Sequence, residues 1–64
     1  MNYFATYEIG GECVKIWQED GRGAGVYMCG RIICPAALGP RMFAFLTTNG
    51  VFIIDAPTGQ TRAV

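Results

Sequence analysis

The 64-residue sequence predicts an all-β protein, a single small five-stranded antiparallel meander, barrel-like or strongly twisted and of SH3 or OB size. Three observations carry this. Clusters of turn-forming residues cut the chain into strand-length pieces, and those pieces are rich in β-branched and aromatic residues. Only Pro35-Ala36-Ala37-Leu38 has helical character, and Gly39-Pro40 ends it within about one turn.

The first predicted strand is Tyr3–Ile9, stopped by Gly10-Gly11. Cys13–Gln18 is the second, followed by the turn-rich Asp20–Gly25 segment. Val26–Cys34 is the third, and the loop Pro35–Pro40 follows it. Met42–Thr48 and Val51–Ala56 form a hairpin about Asn49-Gly50. A two-residue loop of this kind calls for a type I′ turn, because both central residues need positive φ. That register sets Thr48 opposite Val51, Leu46 opposite Ile53, Phe45 opposite Ile54 and Phe43 opposite Ala56. One hairpin face then carries Phe43, Phe45, Phe52 and Ile54, and the other Met42, Ala44, Leu46, Val51 and Ile53. Both faces are apolar. Residues 1–57 make the domain, and 58–64 form a short polar C-terminal tail, frayed unless it adds to an edge strand.

Size and composition point outward from the chain. A protein this short buries only about 60% of its unfolded surface. Yet 52% of its residues are apolar and 16% charged, against about 25% charged in ordinary domains. The excess apolar surface is expected to meet another protein or a second copy of the chain. A homodimer or higher oligomer, with Phe43, Phe45, Phe52 and Ile54 as its interface, is the expectation. Net charge is zero, so nothing repels association and no basic run attracts duplex nucleic acid. Three cysteines do not complete a disulfide framework, which points to a reduced, cytoplasmic protein. Met1–Ile9 lacks the basic start and long apolar stretch of a signal peptide. No apolar run approaches the ~20 residues of a membrane helix, so no membrane partner is expected.

The chemistry-bearing residues are few. There is no histidine, which removes the commonest general base and the usual mixed zinc site. No catalytic residue, metal site or cofactor is expected. Cys13, Cys29 and Cys34 lack metal-ligand spacing and read as small apolar filler. Glu19-Asp20 reads as a solvated turn. Gly21-Arg22-Gly23-Ala24-Gly25 has the glycines of a phosphate loop but is followed by a strand where such loops open a helix. It serves instead to present Arg22.

Tyrosine, tryptophan and arginine are the residues enriched at protein hot spots, so the expected partner-binding set is Trp17, Lys15, Tyr27, Arg31 and Arg22. The reading is a non-enzymatic protein–protein interaction module. It would act by surface occlusion, as a small inhibitor or accessory subunit of the kind phages or plasmids encode. The alternative is a single-stranded nucleic-acid-binding small β-barrel, its bases stacking on Trp17 and Tyr27 beside Lys15 and Arg31. Zero net charge favours protein.

One segment has a local likeness. Asn49-Gly50-Val51-Phe52-Ile53-Ile54-Asp55-Ala56-Pro57-Thr58-Gly59 resembles the hairpin of a quinoprotein-type propeller blade. That pattern runs glycine, several apolar residues, Asp, Ala, any residue, Thr, Gly. A propeller needs several blades where this chain has room for one, so the resemblance implies a hairpin and no function.

Overall fold

Strand-forming sequence covers most of the protein, whose structure, a computed structural model, describes residues 1–64. Seven strands form where five are expected: β1 Tyr3–Tyr7, β2 Cys13–Gln18, β3 Gly23–Met28, β4 Ile32–Leu38, β5 Met42–Thr47, β6 Gly50–Asp55 and β7 Gln60–Ala63. There is no helix. Every pairing is antiparallel, in a three-stranded sheet of order β1-β2-β3 and a four-stranded sheet of order β4-β5-β6-β7.

The two extra strands have local causes. The segment expected to run unbroken from Val26 to Cys34 breaks at Cys29-Gly30-Arg31, which carries the chain from one sheet to the other. Pro35–Leu38, expected to be helical, is the second half of β4. Proline fits there because β4 ends its sheet and the ladder to β5 slips on both sides of Cys34-Pro35. The polar tail adds to the free edge of β6 as β7. Val51 and Val64 exchange both main-chain hydrogen bonds, at 3.0 and 2.9 Å. Main-chain pairing needs no apolar side chain, which is why a polar segment can serve.

The β6–β7 turn is closed by the Thr58 hydroxyl donating to the Asp55 carboxylate, and by Gly59 N–H donating to the Asp55 carbonyl at 2.8 Å. This is a hairpin at the Asp-Ala-Pro-Thr-Gly stretch singled out in the sequence.

The β5–β6 hairpin forms in a different register from the expected one. Phe45 pairs with Phe52, Phe43 with Ile54 and Thr47 with Gly50. No non-glycine residue has positive φ, so Asn49 does not adopt the conformation a type I′ turn requires. Gly50 alone takes the left-handed region, at φ 102°, and the tip moves back to Thr48-Asn49. The Thr47 hydroxyl accepts from Asn49 N–H at 3.1 Å and donates to the Gly50 carbonyl at 2.8 Å, which holds the tip there. A two-residue slip leaves each side chain on its expected face, because the pleat repeats every two residues.

The inner faces of the two sheets meet in one core of Val14, Ile16, Ile32, Phe43, Phe45, Ile54 and Ala56, flanked by Tyr3, Ala5, Tyr7, Tyr27 and Phe52. Tyr7 meets Phe45 edge-on, ring centroids 4.9 Å apart. Along one side, β1 lies antiparallel to β4 and is bonded to that part of the chain only at its ends. Gly10 N–H donates to the Ile32 carbonyl at 2.8 Å, Ile32 N–H to Gly11 at 2.9 Å, and Tyr3 N–H to Pro40 at 2.7 Å. On the other side no main-chain hydrogen bond joins β3 to β7, although the Tyr27 ring reaches Gly59 in the β6–β7 turn. The result is a two-layered meander and not a closed barrel.

This arrangement corrects the expected oligomer interface. Phe43, Phe45 and Ile54 are 3%, 0% and 0% exposed within one subunit, and Phe52 packs on the same core. The total surface, 3967 Å², matches the roughly 4,000 Å² of a compact monomer of this mass. A single chain therefore seals that face by folding its own first three strands across it.

Candidate functional site

Two sheet faces remain outside. On the β1–β3 sheet, Val14 and Ile16 point inward and are buried, so their neighbours Cys13, Lys15 and Trp17 point outward. The register adds Thr6 and Val26 on either side of Lys15, Phe4 beside Trp17, and Met28 beside Cys13. Phe4 stacks on Trp17 with centroids 6.4 Å apart and planes 15° from parallel. Trp17 Nε1–H donates to Thr6 Oγ1 at 2.8 Å, which fixes the indole across the strands. Phe4, Val26 and Met28 are 43%, 62% and 71% exposed. This face is thus an oriented aromatic pair, one ammonium and a run of apolar side chains.

Of the five residues expected to bind a partner, only Trp17 and Lys15 share this face. Tyr27 belongs to the inner side, where its ring folds back over Gly25. A Cβ at Gly25 would stand 2.7 Å from the Tyr27 hydroxyl, so glycine is required for the ring to lie there. Arg22 sits at the exposed β2–β3 tip, its guanidinium 3.4 Å from Asp20. Arg31 lies in the β3–β4 connection, where its N–H donates to Thr48 Oγ1 at 3.1 Å. Tyr27 and Arg31 therefore do not form the outward pair that the nucleic-acid reading needs.

Phe4, Thr6, Val26 and Met28 were missed as members of the face. Strand alternation in Tyr3-Phe4-Ala5-Thr6 hints at the first two. Which of them meets Trp17 depends on cross-strand register.

The β4–β7 sheet has its own outer face, with Met42 and Leu46 exposed, Ala44, Val51 and Ile53 half-buried, and Asp55 and Arg62 at the rim. Beside Lys15 a shallow depression of about 380 Å³ is lined by Thr6, Tyr7, Glu8, Gly11 and Cys13. Burial pushes the Cys29 thiol above its ordinary value, with further contributions from Cys13 and Glu12. No three histidine, cysteine, aspartate or glutamate side chains gather where they could hold a metal ion. No helix is long and apolar enough to cross a membrane.

The fold and face together define a class no finer than a small all-β protein with an aromatic outer sheet face. Comparison with known protein families, with characterised proteins and with solved structures gives no significant match in any of the three.

Proposed function

We propose that this protein is a non-enzymatic interaction module that binds another protein through the outer face of the β1–β3 sheet. The observation that carries the reading is the Phe4–Trp17 stack, held across two strands by the Trp17–Thr6 hydrogen bond and flanked by Lys15, Val26 and Met28. Aromatic anchors already ordered in the free protein lose little side-chain entropy on binding. Action by occlusion, as an inhibitor or accessory subunit, follows from size: a rigid face with no assembled nucleophile and base has contact as its means of action. Reduced cysteines and a cytoplasmic location belong to the same proposal.

The test is retention of partners from host extract by the wild-type protein and by Trp17→Ala and Phe4→Ala variants. Loss of a specific partner in both variants, with far-UV dichroism unchanged, supports the reading. Equal retention by all three refutes it. Trp17 fluorescence tests the single-stranded nucleic-acid alternative in the same preparation: an oligonucleotide bound there quenches the indole and salt reverses the effect, and absence of quenching at low salt excludes it. One cation beside the aromatic pair is few for a strand of phosphates.

A further inference from the structure

Strand β3 is an edge, and its chemistry identifies what fits against it. Cys29 N–H donates to the Glu12 carbonyl at 3.0 Å, which makes Glu12–Cys29 a hydrogen-bonded pair of the β2–β3 ladder. Antiparallel pairs alternate, so Val14–Tyr27 is the next such pair. The N–H and C=O groups of Val26 and Met28 therefore turn away from β2. Neither residue enters any main-chain bond outside that ladder. Their side chains are also the two most exposed large apolar ones of the sheet, at 62% and 71%.

Edge strands are ordinarily protected by charge or proline, yet Gly23-Ala24-Gly25-Val26-Tyr27-Met28 has neither. The other edge, β7, carries Arg62. The edge thus presents outward donors and acceptors of Val26 and Met28 flanked by their apolar side chains, a surface that another extended backbone complements.

We infer that β3 pairs antiparallel with β3 of a second copy of this chain, about a twofold axis near Tyr27. In that register Val26 faces Met28 of the partner subunit, and every outward N–H and C=O of both residues is satisfied. Antiparallel edge pairing is self-complementary under a twofold, as an isologous interface requires.

Charge supports the same occupant. The β2–β3 tip carries Glu19 and Asp20 against Arg22, a net negative end, while Arg31 stands past the opposite end of β3 with no ion-pair partner in the subunit. In that register Arg31 falls opposite Gly23 of the partner subunit, next to the Arg22–Asp20 ion pair, with Glu19 the one unpaired charge of that tip. Zero net charge leaves no overall repulsion to overcome. The two outer faces then join into one six-stranded surface that presents Trp17 twice. This inference does not depend on the proposed partner-binding role.

The test is sedimentation of the full chain from about 10 μM to about 1 mM, the range suited to a small interface, with residue-resolved amide exchange at each end. Monomer should give way to dimer as concentration rises. The Val26 and Met28 amides should gain protection in step, while Thr61 and Ala63 of β7 do not. Val26→Pro, which removes an outward N–H that the subunit itself does not use, should remain a 7.0 kDa monomer throughout.

Arg31→Glu should weaken association about threefold or more, and adding Glu19→Arg should restore it. This pair keeps the inference testable even where the proline variant fails to fold. A monomer at every concentration overturns the inference. So does a dimer in which Val26 and Met28 still exchange freely, which would put the contact away from the β3 edge. Charge variants that leave association unchanged overturn it too.

Discussion

Phe45 and Leu46 are adjacent in β5 and face opposite ways, so truncating each to alanine separates the sealed face from the open one. Phe45 has no exposed surface, meets Tyr7 edge-on at 4.9 Å and pairs across the strand with Phe52. Phe45→Ala removes a whole ring from the centre of the core, a change that costs about 3–5 kcal/mol. A protein of 64 residues has roughly 3–10 kcal/mol of total stability at ~0.05–0.15 kcal/mol per residue. The variant should therefore lose from about a third to all of its stability. Leu46 is 38% exposed on the outer face, and Leu46→Ala should cost less than about 1 kcal/mol.

The assay is urea denaturation followed by Trp17 fluorescence and far-UV dichroism, in dilute solution where subunits are apart. The loss in Phe45→Ala should be the same at tenfold different protein concentrations, because the face it disrupts is covered by its own chain. A face covered by a second subunit would instead give a midpoint that moves with concentration. Near-equal costs for the two variants, or a Phe45→Ala cost below about 1.5 kcal/mol, would refute the placement of the core.

Gly50 takes φ 102°, and a Cβ there would stand 2.5 Å from the Val64 carbonyl oxygen. Gly50→Ala should therefore cost more than Gly10→Ala, which faces open space and carries only the left-handed penalty of about 1–2 kcal/mol; equal urea midpoints would show that Val64 does not pair with β6. Burial, then Cys13 and Glu12, raise the Cys29 thiol above 9.0, so the folded protein holds that proton more tightly than the unfolded chain. Its contribution is complete below pH 9.0 and is lost as pH rises through the raised value, so the alkaline decline in urea midpoint should be shallower in Cys29→Ala.

Much of the strand pattern is legible in the residues themselves. Cys13–Gln18 matches β2 at both ends, and the strands assigned to Tyr3–Ile9, Met42–Thr48 and Val51–Ala56 lie within three residues of β1, β5 and β6 at each end. The failures occur where backbone pairing overrides side-chain character. Pro35 and Ala36-Ala37 suggest a helical turn, but the neighbouring β5 offers a ladder that tolerates bulges. Gly23–Gly25 suggests a loop, yet glycines extend β3 because Tyr27 needs the space above Gly25. Gln60–Ala63 reads as a polar tail that is frayed unless it joins an edge strand, and it joins β6 through its main chain.

The all-β class, the strand-length spacing of the turns and the division of each strand into two faces can be read from the residues alone. Those follow from local chemistry: glycine and proline stop strands, and the pleat alternates side chains whatever the partner. The residues also place Phe43, Phe45, Phe52 and Ile54 together and Trp17 beside Lys15. What covers each face is a matter of three-dimensional packing, because it depends on how the chain folds between Met28 and Ile32, a turn with no strong local signal. By laying β1–β3 across the phenylalanines, that fold turned an expected interface into the core and left Trp17, Phe4 and the β3 edge outside.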